Sequence, residues 1–414
     1  VGATIDAGPF AADPSAPAIV HLADGAAERL LGLEIPKGRQ RARLEALGFG
    51  VEETDGGLDV TVPPFRRGDV TRPADVIEEV GRFHLDELPA TLPKRRGAAG
   101  RLSHEQKVRR RALDALVDRG AHEIAGWSFT EPEIADRLRL EPDSIGRRFV
   151  ELENPMSDDQ RVLRTSLLGS LLDAAAHNSA RGSSDLTLVE QGTVYIRRDD
   201  SPLPDEHRAL GLLQTGRVRP VSWGPGSSPE VADVFTAKAL LAAVLDVLRV
   251  EWRVEQTTAP FLHPGRAAKV MAGETVLGWI GEIHPLVARS WELPGPVAAF
   301  ELDLGAVCAH APEVPRYAHV SSHPPVREDL AFVVDDDVTT GSLLEAISGA
   351  GGELLTGARL FDLYRGPQIG EGRCSLAFAL EFQAPDRTLS QEEIGPVREA
   401  IVGAVAALGG ELRS

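Results

Sequence analysis

Four carboxylates close together in the chain are the residues best suited to chemistry. Asp69 precedes a stretch with a helical pattern, and Asp75, Glu78 and Glu79 lie within it. Spacings of three and four put Asp75, Glu78 and Glu79 on neighbouring positions of one helix face. Carboxylates so placed repel one another unless a cation joins them, and hard oxygen ligands suit magnesium or calcium. A simpler reading is a helix start: Pro73 marks the first turn, and acidic side chains there meet the positive end of the helix dipole. Spacing alone favours the helix start.

Other catalytic patterns are missing. His104-Glu105 lacks the second histidine of HExxH, and there is no P-loop, GxSxG elbow or dinucleotide fingerprint. His263-Pro264-Gly265 and Glu282-Ile283-His284-Pro285 place histidines beside Pro and Gly, where they are read as turn residues rather than catalysts. Two distant cysteines, Cys308 and Cys374, exclude a disulfide framework and a zinc-thiolate site and suit a reducing cytoplasm. No apolar run is long enough for a bilayer; the best, Leu240 to Leu248, is broken by Asp246.

The elements that must position these groups fall into an α+β multidomain chain. Residues 1–18 form a tail rich in small residues. Residues 19–93 form a small α+β domain, with helices around Gly25–Leu31 and Gln40–Leu47, a hairpin turning at Asp55-Gly56-Gly57, strand Asp59–Pro63 and a helix from Pro73 to His84. Residues 94–315 form a large mixed domain. It opens with a basic stretch (Lys94, Arg95, Arg96, Arg101, Lys107, Arg109, Arg110, Arg111) leading into a helix to Arg119, and includes apolar strands Leu186–Ile196 and Val276–Ile283. Residues 320–414 read as a ferredoxin-like βαββαβ module. Its third strand alternates Leu376, Phe378, Leu380 and Phe382 against Ser375, Ala377, Ala379 and Glu381, so helices cover one sheet face and leave the other open.

Several ordered motifs resemble bacterial phenylalanyl-tRNA synthetase beta subunits. Pro63-Pro64-Phe65-Arg66-Arg67-Gly68-Asp69-Val70, continuing through Ala74 to Arg82, is similar to the end of that family's small domain with a DNA-binding-like fold. Asn154-Pro155-Met156-Ser157, Val162 to Leu168, Phe261 to Arg266 and Gly278 to Pro285 resemble its class II synthetase-like core domain, an antiparallel sheet with helices. His323 to Ala331, Leu360 to Gly366, Arg387 to Ser390 and Gly410 to Arg413 resemble its ferredoxin-fold anticodon-binding domain.

The resemblance implies a subunit of phenylalanine-tRNA ligase that scaffolds a catalytic alpha subunit, in a cytoplasmic heterotetramer of two alpha and two beta chains, and helps bind tRNA. It also implies a magnesium site at Asp69, Asp75, Glu78 and Glu79, completed by the alpha subunit, which tips the balance at that cluster towards the metal. An OB-like domain and a hydrolytic editing domain are expected before residue 1. Class II ligases hold ATP with an arginine in their last motif, and Gly295 to Glu301 has none. ATP is therefore expected to be used by the holoenzyme and not by this chain, since phosphate charge goes unmatched. From Arg327 onward seven arginines face fifteen Asp and Glu, a net −8. RNA contact in the last module then rests on few residues: Arg359, Arg365, Arg373 and Arg387. A stand-alone nucleic-acid-binding or regulatory module is the alternative.

Overall fold

A computed structural model describes residues 17–88, 90, 100–219, 230–317 and 320–413. The tail to residue 16 and Lys94, Arg95 and Arg96 of the basic stretch lie outside them. The chain divides between Arg101 and Leu102 into two compact units.

The first unit contains β1 (Ala18–Ala23), α1 (Ala26–Leu31), α2 (Lys37–Ala46), β2 (Gly50–Thr54), β3 (Gly57–Val62) and α3 (Pro73–Gly81). Its sheet runs β1-β3-β2, packed around Leu22, Leu44, Val60, Val76 and Val80. The expected hairpin forms, and Gly57 is required in it. Its φ is +155°, and a Cβ there would stand 2.1 Å from the Leu22 carbonyl oxygen. The last helix ends at Gly81 instead of His84, because the His84 amide bonds back to the Gly81 carbonyl at 2.8 Å and tightens the final turn.

The second unit begins with α4 (His104–Val117), β4 (His122–Glu123), β5 (Phe129–Thr130), α5 (Ile134–Arg137), β6 (Val162–Leu163) and α6 (Leu168–Ser179). Then follow β7 (Leu186–Ile196), β8 (Asp205–Thr215), α7 (Val234–Val247), β9 (Arg253–Gln256), β10 (Leu262–Ala272), β11 (Thr275–Ile283), α8 (Pro285–Ser290), β12 (Val297–Asp303) and α9 (Leu304–His310). The helix α4 starts at His104 because Ser103 and Gln106 form a reciprocal capping box. Seven strands make one sheet, β4-β7-β8-β12-β11-β10-β9, antiparallel throughout except where β4 joins β7. Helices α4, α7 and α9 share one apolar core with Val189, Leu212 and Phe300, while α6 and α8 share another with Leu188, Leu213 and Ala299. The alternation along β7, β8 and β12 therefore fills both faces of the sheet.

The chain closes with β13 (Val326–Asp335), α10 (Thr340–Gly351), β14 (Leu355–Tyr364), β15 (Arg373–Phe382), α11 (Gln391–Ala407) and β16 (Glu411–Leu412). The βαββαβ order folds into the sheet β14-β15-β13-β16. Leu376, Phe378, Leu380 and Phe382 are buried against Leu343, Ile347, Ile401 and Val405 of the two helices. Ser375 departs from the expected alternation: it belongs to the helix-free face yet is 3% exposed, its hydroxyl taking a 3.4 Å contact from Arg413. No described helix is long and apolar enough to cross a membrane.

Candidate functional site

The acidic cluster of the first unit is built on α3 and the turn before it. Asp75 fills the third helical position and folds back on the helix start, its Oδ2 accepting from the Thr71 and Arg72 amides at 2.9 and 2.8 Å. Arg72 adds a 3.0 Å ion pair, and these donors together hold the Asp75 carboxyl far below the ordinary carboxylate range. Asp69 and Glu79 meet at one cation: Arg66 Nη2 lies 2.6 Å from each. Glu79 is 4% exposed, and Arg82 approaches its other oxygen at 3.2 Å. Both carboxyls are pulled below their usual values, chiefly by the Arg66 hydrogen bonds, against a burial cost that pushes them up. Glu78 is exposed.

The structure therefore brings Asp69 and Glu79 together through a guanidinium, and it engages Asp75 in capping the helix. Among the described residues no group of three His, Cys, Asp or Glu is arranged to hold a metal ion. The four carboxylates of this chain do not by themselves fit a magnesium cage, which needs near-octahedral oxygen ligands at about 2.0–2.1 Å. Sequence spacing missed the arginines. Arg66, Arg72 and Arg82 each stand three residues from an acidic partner, and only the fold shows that they point at it.

A second polar constellation lies under the seven-stranded sheet. Glu190, in the middle of apolar β7, is 1% exposed and paired with Arg164, which is 5% exposed. The Glu190 carboxylate also accepts from Ser170 and from the Gly126 amide, and Arg164 donates to the Thr193 carbonyl at 3.0 Å. A Cβ at Gly192 would stand 2.0 Å from Arg164 Nη2, so any larger residue there must push that guanidinium out of its place. Nearby, Glu301 on β12 accepts from Ser166 Oγ at 2.8 Å and from the Leu167 amide at 2.9 Å, and burial pushes its carboxyl up. Beside the pair remains a cavity of about 170 Å³ bordered by Trp127, Phe129, Ser166 and Ser170. That is below the roughly 300–1,000 Å³ of ordinary ligand pockets. A charged residue inside a long apolar strand was the available signal for this pair.

Neither expected turn histidine sits in a turn: His263 lies within β10, where the register with β11 shifts, and His284 is the N-cap of α8. Each Nδ1 accepts a backbone amide two residues ahead, from Gly265 and Leu286, both at 3.1 Å.

The four arginines of the last module are not gathered. Arg359 lies in the middle of β14, Arg365 and Arg373 flank the turn between β14 and β15, and Arg387 precedes α11. Arg365 pairs with Asp336 at 3.0 Å, Arg373 with Glu411 at 3.2 Å and Asp335 at 3.3 Å, and Arg387 with Asp386 and Glu393 at 3.0 Å. Arg359 borders a shallow hollow of about 520 Å³ on the helix-free face, together with Arg327, Asp329 and Glu381. No carboxylate among the described residues is paired with it. In the basic stretch, Arg109 stands 3.7 Å from Glu105 and Arg111 caps the Val247 carbonyl, while Lys107 and Arg110 are exposed.

Comparison with known proteins accounts for the whole order of domains. The family described as phenylalanyl tRNA synthetase beta chain CLM domain matches residues 88–304. The tRNA synthetase B5 domain matches residues 20–84, and the ferredoxin-fold anticodon binding domain matches residues 321–413. The phenylalanine–tRNA ligase beta subunit of Symbiobacterium thermophilum is 39% identical, over 94% of this chain and 43% of its own length. Those of Moorella thermoacetica and Thermobifida fusca are each 36% identical, over 96% and 98% of this chain and 49% and 52% of their own lengths. The chain spans about half the length of the curated relatives it matches.

Proposed function

Because the chain belongs to the phenylalanyl-tRNA synthetase beta-chain family, we propose that it scaffolds a catalytic alpha subunit and helps hold tRNA for ATP-dependent charging with phenylalanine. The observation that carries the non-catalytic reading is the buried Arg164–Glu190 pair on the α6 side of the sheet. A guanidinium neutralised inside the protein cannot take the charge of a polyphosphate, and adenylation depends on such cations. The neighbouring cavity of about 170 Å³ is also small for a nucleotide. ATP belongs to the holoenzyme in this proposal, and so does the cytoplasmic heterotetramer of two alpha and two beta chains. Exposed Trp127 and Phe235, 71% and 74% accessible, supply aromatic surface of the kind that subunit contacts cover.

Magnesium at Asp69, Asp75, Glu78 and Glu79 is proposed for the assembled enzyme only. An ion there competes with Arg66 for Asp69 and Glu79, and with Arg72 and two amides for Asp75. Ligands from the alpha subunit would have to offset that competition. For tRNA, Arg359 is the contact we favour, since Arg365, Arg373 and Arg387 already have carboxylate partners. Native mass measurement of the chain mixed with a bacterial alpha subunit tests the proposal: a stable complex is expected, with no ATP–pyrophosphate exchange by this chain alone. Exchange by the isolated chain, or no complex at micromolar concentration, would defeat it.

A further inference from the structure

We propose that the basic face of α4 is a further contact for tRNA, holding its phosphodiester backbone; this rests on the proposal that the chain helps hold tRNA. Three cations gather there. Lys107 stands three residues before Arg110 and four before Arg111, spacings that put all three on one helix face within about 6 Å along the axis. All three are exposed. They border a hollow of about 200 Å³ between the start of α4, the end of α7 and the segment after α9.

Their charge is not neutralised within the chain. Arg111 donates to the Val247 carbonyl, which carries no charge. Asp114 lies one turn beyond Arg110 and Arg111, yet among the described residues none of the three cations forms an ion pair with a carboxylate. Arg109, by contrast, stands 3.7 Å from Glu105. Of the other polar residues bordering the hollow, His104 is engaged with the Ala311 carbonyl at 3.1 Å, and Glu313 is the one carboxylate. Like charges at these spacings repel one another. Carboxylates outnumber Lys and Arg 62 to 44 in the whole chain, so partners are not scarce. An unpaired cluster of cations in such a chain points to an anion from outside it.

The size of the hollow and the density of charge choose that anion. About 200 Å³ is below the roughly 300–1,000 Å³ of ordinary ligand pockets, so the face does not enclose a free nucleotide. It suits a polymer lying across it. A nucleic-acid duplex carries a negative charge about every 1.7 Å of its axis, which matches three cations within about 6 Å. A protein surface intersperses both signs and matches them less well. The last module leaves room for such a contact elsewhere, with seven arginines against fifteen Asp and Glu from Arg327 onward.

The test is binding of a labelled phenylalanine tRNA transcript by the full chain, read by fluorescence anisotropy between roughly 50 and 200 mM salt. The double variant Lys107→Gln with Arg110→Gln should lower the salt slope by about two, and shrink the affinity lost over that range by roughly tenfold. The charge-keeping pair Lys107→Arg with Arg110→Lys should retain the wild-type slope, since a phosphate contact of this kind depends on charge. Both side chains are exposed, so these replacements leave the fold intact. A slope unchanged in the glutamine variant, while Arg359→Ala still lowers it, would overturn this contact and leave the tRNA proposal standing. No saturable binding by the wild type would overturn both. An unchanged slope together with lost binding of an alpha subunit would assign the face to an acidic protein surface and overturn the RNA contact.

Discussion

Removing Glu190 should destabilise the central domain far more than removing the whole ion pair. In Glu190→Ala the Arg164 guanidinium stays buried, retaining the Thr193 carbonyl at 3.0 Å and a long 3.4 Å contact to Ser170 Oγ. An uncompensated buried charge of this kind costs about 3–5 kcal/mol. At about 2–4 °C per kcal/mol for a domain of 150–250 residues, the midpoint should fall by roughly 6–20 °C. The double replacement Arg164→Met with Glu190→Leu removes both charges for side chains of similar volume, and should be neutral or stabilising. The assay is convenient, because all five tryptophans lie between Trp127 and Trp291 and report this domain alone. Thermal melts followed by tryptophan fluorescence should rank double replacement, wild type and single replacement in falling order. A single replacement that costs under about 1 kcal/mol, or a double replacement less stable than Glu190→Ala, would refute the reasoning that the charges matter because they are buried.

Gly192→Ala should destabilise the same domain by about 1–3 kcal/mol, since its methyl would displace Arg164 from the pair. Asp75→Ala should weaken assembly with an alpha subunit at low magnesium, and a chelator should do the same to the wild type; indifference to both in native mass spectra leaves Asp75 as a helix cap alone. The first unit should be acid-labile: Asp69, Asp75 and Glu79 titrate below their unfolded values. Their contribution is therefore complete above about pH 4.5 and lost as pH falls through the lowered values, which circular dichroism of unfolding against pH would read. Arg359→Ala should reduce the salt slope of tRNA binding by about one, and Arg365→Ala should change it less; equal effects would remove the distinction drawn from ion pairing.

Local features of the chain were legible before the fold was. The Asp55-Gly56-Gly57 turn and the alternation in β15 each follow from a few adjacent residues. The βαββαβ module followed from them because three of its strands are ten residues long and strongly patterned. What stayed hidden depended on distant pairing. The two-residue strands β4 and β5 carry too little pattern to register, and β4 gains meaning only by lying parallel to β7. The same holds for the sites: the spacing of Asp69, Asp75, Glu78 and Glu79 was readable, whereas the placement of Arg66 between Asp69 and Glu79 required the path of the turn before α3. The meeting of Arg164 with Glu190 required the packing of α6 on β7.

The pairing of β8 with β12 sets a timetable for synthesis. Ala209 bonds opposite Asp303, so the edge of β8 carrying Leu210, Leu212 and Leu213 waits for on the order of 90 further residues. At about 5–20 residues per second that interval is roughly 5–18 s on the ribosome. During it the hairpin of β7 and β8 has an apolar strand edge open to any neighbouring nascent chain. Aggregation during expression should therefore depend on elongation speed between residues 216 and 296, so synonymous codons there should change yield while leaving the stability of the finished protein unaltered.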